Sequence, residues 1–235
     1  MPRRRTTTAP PDAAALTRRR APQGRATREL RPRTAVVLAC ILALIAVGIA
    51  AALGPWSLAC LLAFASLQLA YTLALKHVVL VDVSVIALLF VIRAAAGAIA
   101  VEVRISPWLL ACTALLALFL ALGKRRAELL VVGAEQTPGR PVLEGYSLSL
   151  VDQLLAGVAG ATVVAYTTYT LSGGVVPRAL VVTVPFVVFG IVRYLQLLHR
   201  HALGEEPENV LLGDLPILLT VAAWAVTCGA ILLLS

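Results

Sequence analysis

The sequence predicts an all-α integral membrane protein of about seven transmembrane helices, and three observations carry that prediction. The chain of 235 residues is 60% hydrophobic and 14% charged, too few charges to cover the surface of a soluble domain of this size. Its apolar residues fall in continuous runs of roughly 20, the length that crosses a hydrocarbon core at ~1.5 Å rise per residue. The runs lack the alternation of membrane-barrel strands, so helices are expected.

The runs cover approximately residues 35–53, 56–75, 78–100, 107–122, 150–171, 178–198 and 214–234. Gly and Pro sit mainly at their ends, as in Gly54-Pro55, Ser106-Pro107 and Gly173-Gly174. Pro185 lies inside the sixth run, where a kink is expected. Residues 1–34 stand apart. They mix Arg, Thr, Pro and Ala without the apolar core of a signal peptide, and predict a disordered cytoplasmic arm ahead of a transmembrane domain over 35–235.

Charge placement orients the chain. The net charge is +8, and ten arginines lie between Arg3 and Arg33. With the N-terminus inside, the inner segments add Lys76, Lys124, Arg125, Arg126, Arg140 and Arg200, against only Arg104 and Arg178 outside. The positive-inside rule then puts the N-terminus in and the C-terminus out. Arginines beside anionic lipid explain the arm better than nucleic-acid binding does. Cys40, Cys60, Cys112 and Cys228 all fall in apolar runs with no CxxC spacing, which fits small core residues and indicates neither a metal nor a disulfide.

Ionisable residues inside a span are costly and face the bundle interior or a wet cavity. Asp82 and Arg93 share the third run, 11 residues apart. At about 100° per residue they return to nearly one face, ~16 Å apart, too far to pair directly. With Tyr71 and Lys76 they form a polar stripe, for which structural ion pairs between helices are the plainer reading. The fourth run ends in Gly123-Lys124-Arg125-Arg126-Ala127-Glu128. Three cations there anchor topology in the simplest case. Glu128, one turn from Lys124, adds the carboxylate that suits a phosphorylated ligand and its Mg²⁺.

A long inner loop, 123–149, is expected to carry Glu144 and Tyr146, with Asp152 where the fifth helix begins. Arg193 and Tyr194 lie near the inner end of the sixth run. They are followed by His199, His201, Glu205, Glu206, Glu208 and Asp214. The two histidines diverge on a helix and make a poor chelating pair. All these groups belong to one membrane face. That suits an enzyme joining a charged, water-soluble donor to a lipid better than a transporter, whose polar groups gather at the midplane on repeated, broken helices. Gly157, Gly160 and Ala161 are small enough for close helix contact, within one chain or in a homo-oligomer.

In order and spacing these residues resemble the UbiA-type prenyltransferase superfamily, most of all its decaprenyl-phosphate phosphoribosyltransferase branch. The matching stretches are Leu69–Asp82, Phe90–Gly97, Ile105–Trp108, Phe119–Leu129, Tyr146–Leu148, and Gly204–Glu208 leading into Asp214. The resemblance implies a nine-helix bundle with a cytoplasm-facing cavity in the cell membrane. The implied reaction moves 5-phosphoribose from phosphoribosyl pyrophosphate to a polyprenyl phosphate, with Mg²⁺, in cell-wall arabinan synthesis.

By the same resemblance Glu128 is the catalytic candidate, with Lys124, Arg125 and Arg126 beside it. Lys76, Arg93, Tyr146 and Arg193 join the substrate-binding set. The family's Asn-Asp-x-x-Asp-x-x-x-Asp motif is absent from this sequence, which leaves the metal ligands unknown. The stretch Asp12–Gly24 resembles only the basic tail that follows that motif. The chain is thus expected to be an N-terminally shortened member with seven of nine helices. An aromatic-acceptor prenyltransferase and a non-catalytic membrane homologue stand as alternatives.

Overall fold

A computed structural model describes residues 32–104, 106–135, 141–172, 177–200 and 213–234. Seven α-helices appear among them: α1 Pro32–Leu53, α2 Pro55–Leu73, α3 Val81–Ala100, α4 Pro107–Glu135, α5 Leu148–Leu171, α6 Val184–Arg200 and α7 Leu215–Leu234. Short 3-10 turns occupy Leu75–His77, Pro141–Gly145 and Arg178–Thr183. No strand occurs among the described residues. Seven segments are long and apolar enough to cross a membrane, as expected. The chain divides into two units, Met1–Ile45 and Ala46–Ser235, the division falling inside α1.

Local chemistry sets the helix boundaries. Gly54 ends α1 at φ 116°, a conformation open to glycine, and Pro55 starts α2 where its missing N–H costs nothing. Pro107 begins α4 in the same way. Ser147 caps α5, its hydroxyl accepting from Leu150 N at 3.1 Å. Asp214 accepts from Ile217 N at 3.0 Å and caps α7.

Within the second unit α2 packs on α3, α3 on α4, α4 on α5, α5 on α6 and α6 on α7. The core lies around the second half of α4: Phe119 and Leu122 meet Val83 of α3, Val151 and Leu155 of α5, Tyr194 and Leu198 of α6 and Ile217 of α7. Phe119 and Tyr194 stack at 5.2 Å between ring centres, tilted by 59°. Large apolar side chains such as Trp56, Leu69 and Leu219 are exposed on the outside, as lipid-facing surfaces require.

Two expectations need correction. The loop predicted over 123–149 is helical through Glu135 and re-enters a 3-10 turn at Pro141. Charge ends an apolar run, but Lys, Arg, Ala, Glu and Leu are all strong helix formers, so the helix outlasts the hydrophobic span. Pro185 does not kink a helix interior. It is the second residue of α6, directly after the 3-10 turn Arg178–Thr183, where the helix makes no demand on its missing N–H. The arm 1–31, with Asp12, and Gly173, Gly174, Arg140, His201, Glu205, Glu206 and Glu208 lie outside the described residues, as does the Glu144 side chain.

Candidate functional site

Consecutive helical residues point about 100° apart, and Arg125 and Arg126 use that divergence to join α4 to its neighbours on both sides. Arg125, 3% exposed, donates from Nε to Asp82 Oδ2 at 2.6 Å and from Nη1 to Glu128 Oε2. Asp82 is fully buried in the first turn of α3. Its other oxygen accepts from the Tyr146 hydroxyl at 2.7 Å. That hydroxyl in turn accepts from Leu80 N at 2.8 Å. Leu80 sits at φ 66°, an uncommon conformation for a residue with a side chain. Its hydrogen bond to Tyr146 helps hold that turn in place.

On the other side of α4, Arg126 donates from Nε to Asp152 Oδ1 at 2.6 Å and from Nη1 to Leu198 O at 2.8 Å. The first bond reaches α5 and the second α6. His199 Nε2 approaches the same Asp152 oxygen at 3.7 Å, while its Nδ1 donates to Leu195 O at 2.8 Å. A third link joins α6 to the start of α7. Arg193 donates from Nε and Nη2 to the two Asp214 oxygens at 3.2 and 2.7 Å.

These pairs join the starts of α3, α5 and α7 to the second half of α4 and the last turns of α6, so the ion pairs gather toward one end of those helices. Of these pairs Arg125–Asp82 is buried on both sides, and a buried charge pair contributes little net stability but is costly to break. Burial, first, and the hydrogen bond to Asp82, second, raise the pKa of the Tyr146 phenol and keep it a donor.

The sequence-predicted residues divide into two groups. Arg125, Glu128 and Tyr146 come together around buried Asp82 on one side of α4, and Arg126 meets the partly exposed Asp152 on the other. Glu128 turns to Arg125, three residues back, rather than to Lys124. Lys124 is exposed beside the network. Lys76 is half-buried on the turn Leu75–His77, which the Tyr146–Leu80 bond borders. Arg93 is exposed, with its guanidinium carbon 5.4 Å from the centre of the Phe90 ring. Sequence reasoning left Asp82 and Asp152 out of the site set. Asp82 carried a signal in being an acid within an apolar span, but its partner lies 43 residues away.

Mg²⁺, which the resemblance implies, finds no ready seat here. Among the described residues no group of three or more His, Cys, Asp or Glu side chains comes together. Asp82 and Glu128 both accept from Arg125, and Asp152 from Arg126. The described carboxylates therefore do not fit the ion by themselves.

Comparison with known proteins places the chain in a family. Residues 14–212 match the model of the UbiA prenyltransferase family, a match that begins within the basic arm. Decaprenyl-phosphate phosphoribosyltransferase of Mycobacterium tuberculosis is 31% identical over 214 residues, 87% of this chain and 70% of that protein. The protein of the same name from Mycolicibacterium smegmatis is 32% identical over 183 residues, 73% of this chain and 57% of its own length. That from Corynebacterium glutamicum is 30% identical over 174 residues, 72% and 52% of the two chains. With a family match spanning most of its length, the chain belongs to the UbiA prenyltransferase family.

Proposed function

We propose that this protein transfers a 5-phosphoribosyl group from phosphoribosyl pyrophosphate to a polyprenyl phosphate at the cytoplasmic face of the cell membrane. The observation that carries the reading is the cation run Lys124–Arg126 at one end of apolar helices. There two buried arginines are fixed by carboxylates and a lysine is left exposed. A pyrophosphate leaving group needs such preorganised positive charge. The names of the relatives supply the substrate class.

In this reaction a phosphate oxygen of the lipid forms a bond to C1 of the ribose. The bond from C1 to the pyrophosphate oxygen breaks, and pyrophosphate carries away the electron pair. Lys124, Lys76 and Arg93 have no carboxylate partner among the described residues, and they are assigned to the donor's phosphates. Arg125 stands behind them, oriented by Asp82 and Glu128. Magnesium is left out of these steps, because the described carboxylates are committed to arginines.

That same commitment favours a second reading, a membrane homologue without catalysis of its own. One assay separates the two. Purified protein in detergent is given labelled phosphoribosyl pyrophosphate and a polyprenyl phosphate, with Mg²⁺ or with EDTA. Label in the lipid fraction, reduced at least about tenfold in Lys124→Ala, supports the transferase. No transfer from folded protein supports the non-catalytic homologue.

A further inference from the structure

Lys76 belongs to the connection between α2 and α3, a segment with little core of its own. Its 3-10 turn covers Leu75–His77. Lys76 is half-buried, and His77, Val78 and Leu80 are exposed. Of the residues that follow the turn, Val79 packs against the central core. The backbone bonds inside the segment are short in range, His77 N to Ala74 O at 3.1 Å and Val78 N to Leu75 O at 3.2 Å. Such bonds shape a turn without fixing where it stands, and a segment so built opens easily unless something else holds it.

Two contacts from the connection between α4 and α5 do hold it. The first depends on a missing side chain. A Cβ on Gly145 would collide with Val79 Cγ2, so the Gly145 backbone lies directly on a stiff, β-branched residue. The second is the hydrogen bond from Leu80 N to the Tyr146 hydroxyl at 2.8 Å, made at the residue whose φ is 66°. Behind this clamp the support is firm: Val142, Leu143 and Tyr146 are all buried, and Tyr146 N donates to Leu143 O at 3.0 Å.

The Tyr146 hydroxyl has one proton, and that proton goes to Asp82. It therefore has no donor left for a phosphate oxygen. What it does instead is close a line of contacts from Leu80 N through Tyr146 and Asp82 to Arg125. One end of that line adjoins the turn of Lys76, and the other adjoins Lys124.

We infer that Tyr146 and Gly145 are positioning residues, which fix the turn carrying Lys76 relative to the Lys124–Arg126 run and act on the phosphoribosyl donor only through Lys76. The inference rests on the proposed reaction for assigning Lys76 to that donor.

Two measurements on the full chain in detergent test it. Hydrogen exchange follows residues 75–80. Calorimetry follows binding of phosphoribosyl pyrophosphate with no lipid acceptor supplied, so that no turnover is needed. Tyr146→Phe is expected to speed exchange over 75–80 at least about tenfold and to weaken donor binding about tenfold. Lys76→Ala is expected to weaken binding by a similar factor. Because Tyr146 acts through Lys76, the double variant binds within about threefold of the weaker single variant, and not about a hundredfold below the parent. A merely structural role would multiply the two losses. Gly145→Ala paired with Lys76→Ala repeats the cycle without touching the buried network. Adding Val79→Ala to Gly145→Ala removes the methyl that the new Cβ would strike, and is expected to restore binding to within about threefold of the parent.

Multiplied losses in either cycle overturn the inference. So does unaltered exchange in Tyr146→Phe, a failure of Val79→Ala to restore binding, or a parent protein that does not bind the donor. Transfer to lipid is scored separately. Binding and exchange that follow this pattern without transfer remove the proposed reaction and leave the clamp standing. Transfer with multiplied losses does the reverse.

Discussion

Arg125 Nε meets Asp82 Oδ2 at 2.6 Å, with side chains 3% and 0% exposed, so the late turns of α4 are fastened to the first turn of α3 by a charge pair out of reach of water. Neither ion would stay buried alone. The consequence is asymmetric: deleting one partner strands the other, whereas deleting both removes the problem. Asp82→Ala is expected to destabilise the protein by about 3–5 kcal/mol. Asp82→Leu combined with Arg125→Met is expected to regain most of that loss and to have little transferase activity. Unfolding in detergent, read on single and double variants, checks this. A double variant as unstable as Asp82→Ala would disprove the coupling.

Tyr146 carries the same network into the loops and gives it a pH dependence. Its phenol is held above the ordinary value of 10.0 by burial and by its bond to Asp82, so the folded protein favours the protonated form. The folded pKa exceeds the unfolded one. The associated stability is therefore complete below about pH 10 and declines as pH rises toward the folded value. The unfolding midpoint of the parent is expected to fall above about pH 10 more steeply than that of Tyr146→Phe. Parallel profiles would show that this phenol does not titrate with folding.

Glu128 shares Arg125 with Asp82 but is partly exposed, at 24% of its side chain. That places it at the rim of the network, where its loss costs little stability. Glu128→Ala is expected to lower transfer at least about tenfold while shifting unfolding by less than ~1 kcal/mol. Glu128→Gln keeps an acceptor for Arg125 and is expected to restore part of the rate. If the carboxylate instead held a metal, Gln and Ala would be equally inactive. Transfer rates over a Mg²⁺ titration distinguish the two roles.

Much of the fold was legible because a bilayer imposes a simple rule. Each span needs roughly 20 apolar residues, and Gly54-Pro55 and Ser106-Pro107 mark where one ends and the next begins. The continuation of α4 to Glu135 was not legible by that rule, since hydropathy reports the bilayer and not the helix. The site was half legible. Lys124, Arg125, Arg126 and Glu128 announced themselves by charge, but which arginine meets which acid depends on a rotation of 100° per residue and on helices 26 to 43 residues away. Periodicity brought Asp82 and Arg93 to one face, and the fold then treats them oppositely: Asp82 is sealed by Arg125 and Tyr146, and Arg93 is left exposed. The small residues Gly157 and Gly160 are exposed, with nothing within 4 Å of an added Cβ, so they bring no helices together among the described residues.

The last test concerns Asp214, which serves two structures at once. It accepts from Arg193 Nε and Nη2 of α6 and caps α7 through Ile217 N. Asparagine preserves the cap, because its side-chain oxygen can still accept from Ile217 N, but it removes the charge that draws in the guanidinium. Alanine removes both. Asp214→Asn is expected to lower the unfolding midpoint slightly, with a loss that shrinks at high salt in neither variant's cap but only in the ion pair. Asp214→Ala is expected to lose about 1 kcal/mol more from the missing cap. Equal effects of Asn and Ala on stability would mean that the charge, and not the cap, sets the start of α7.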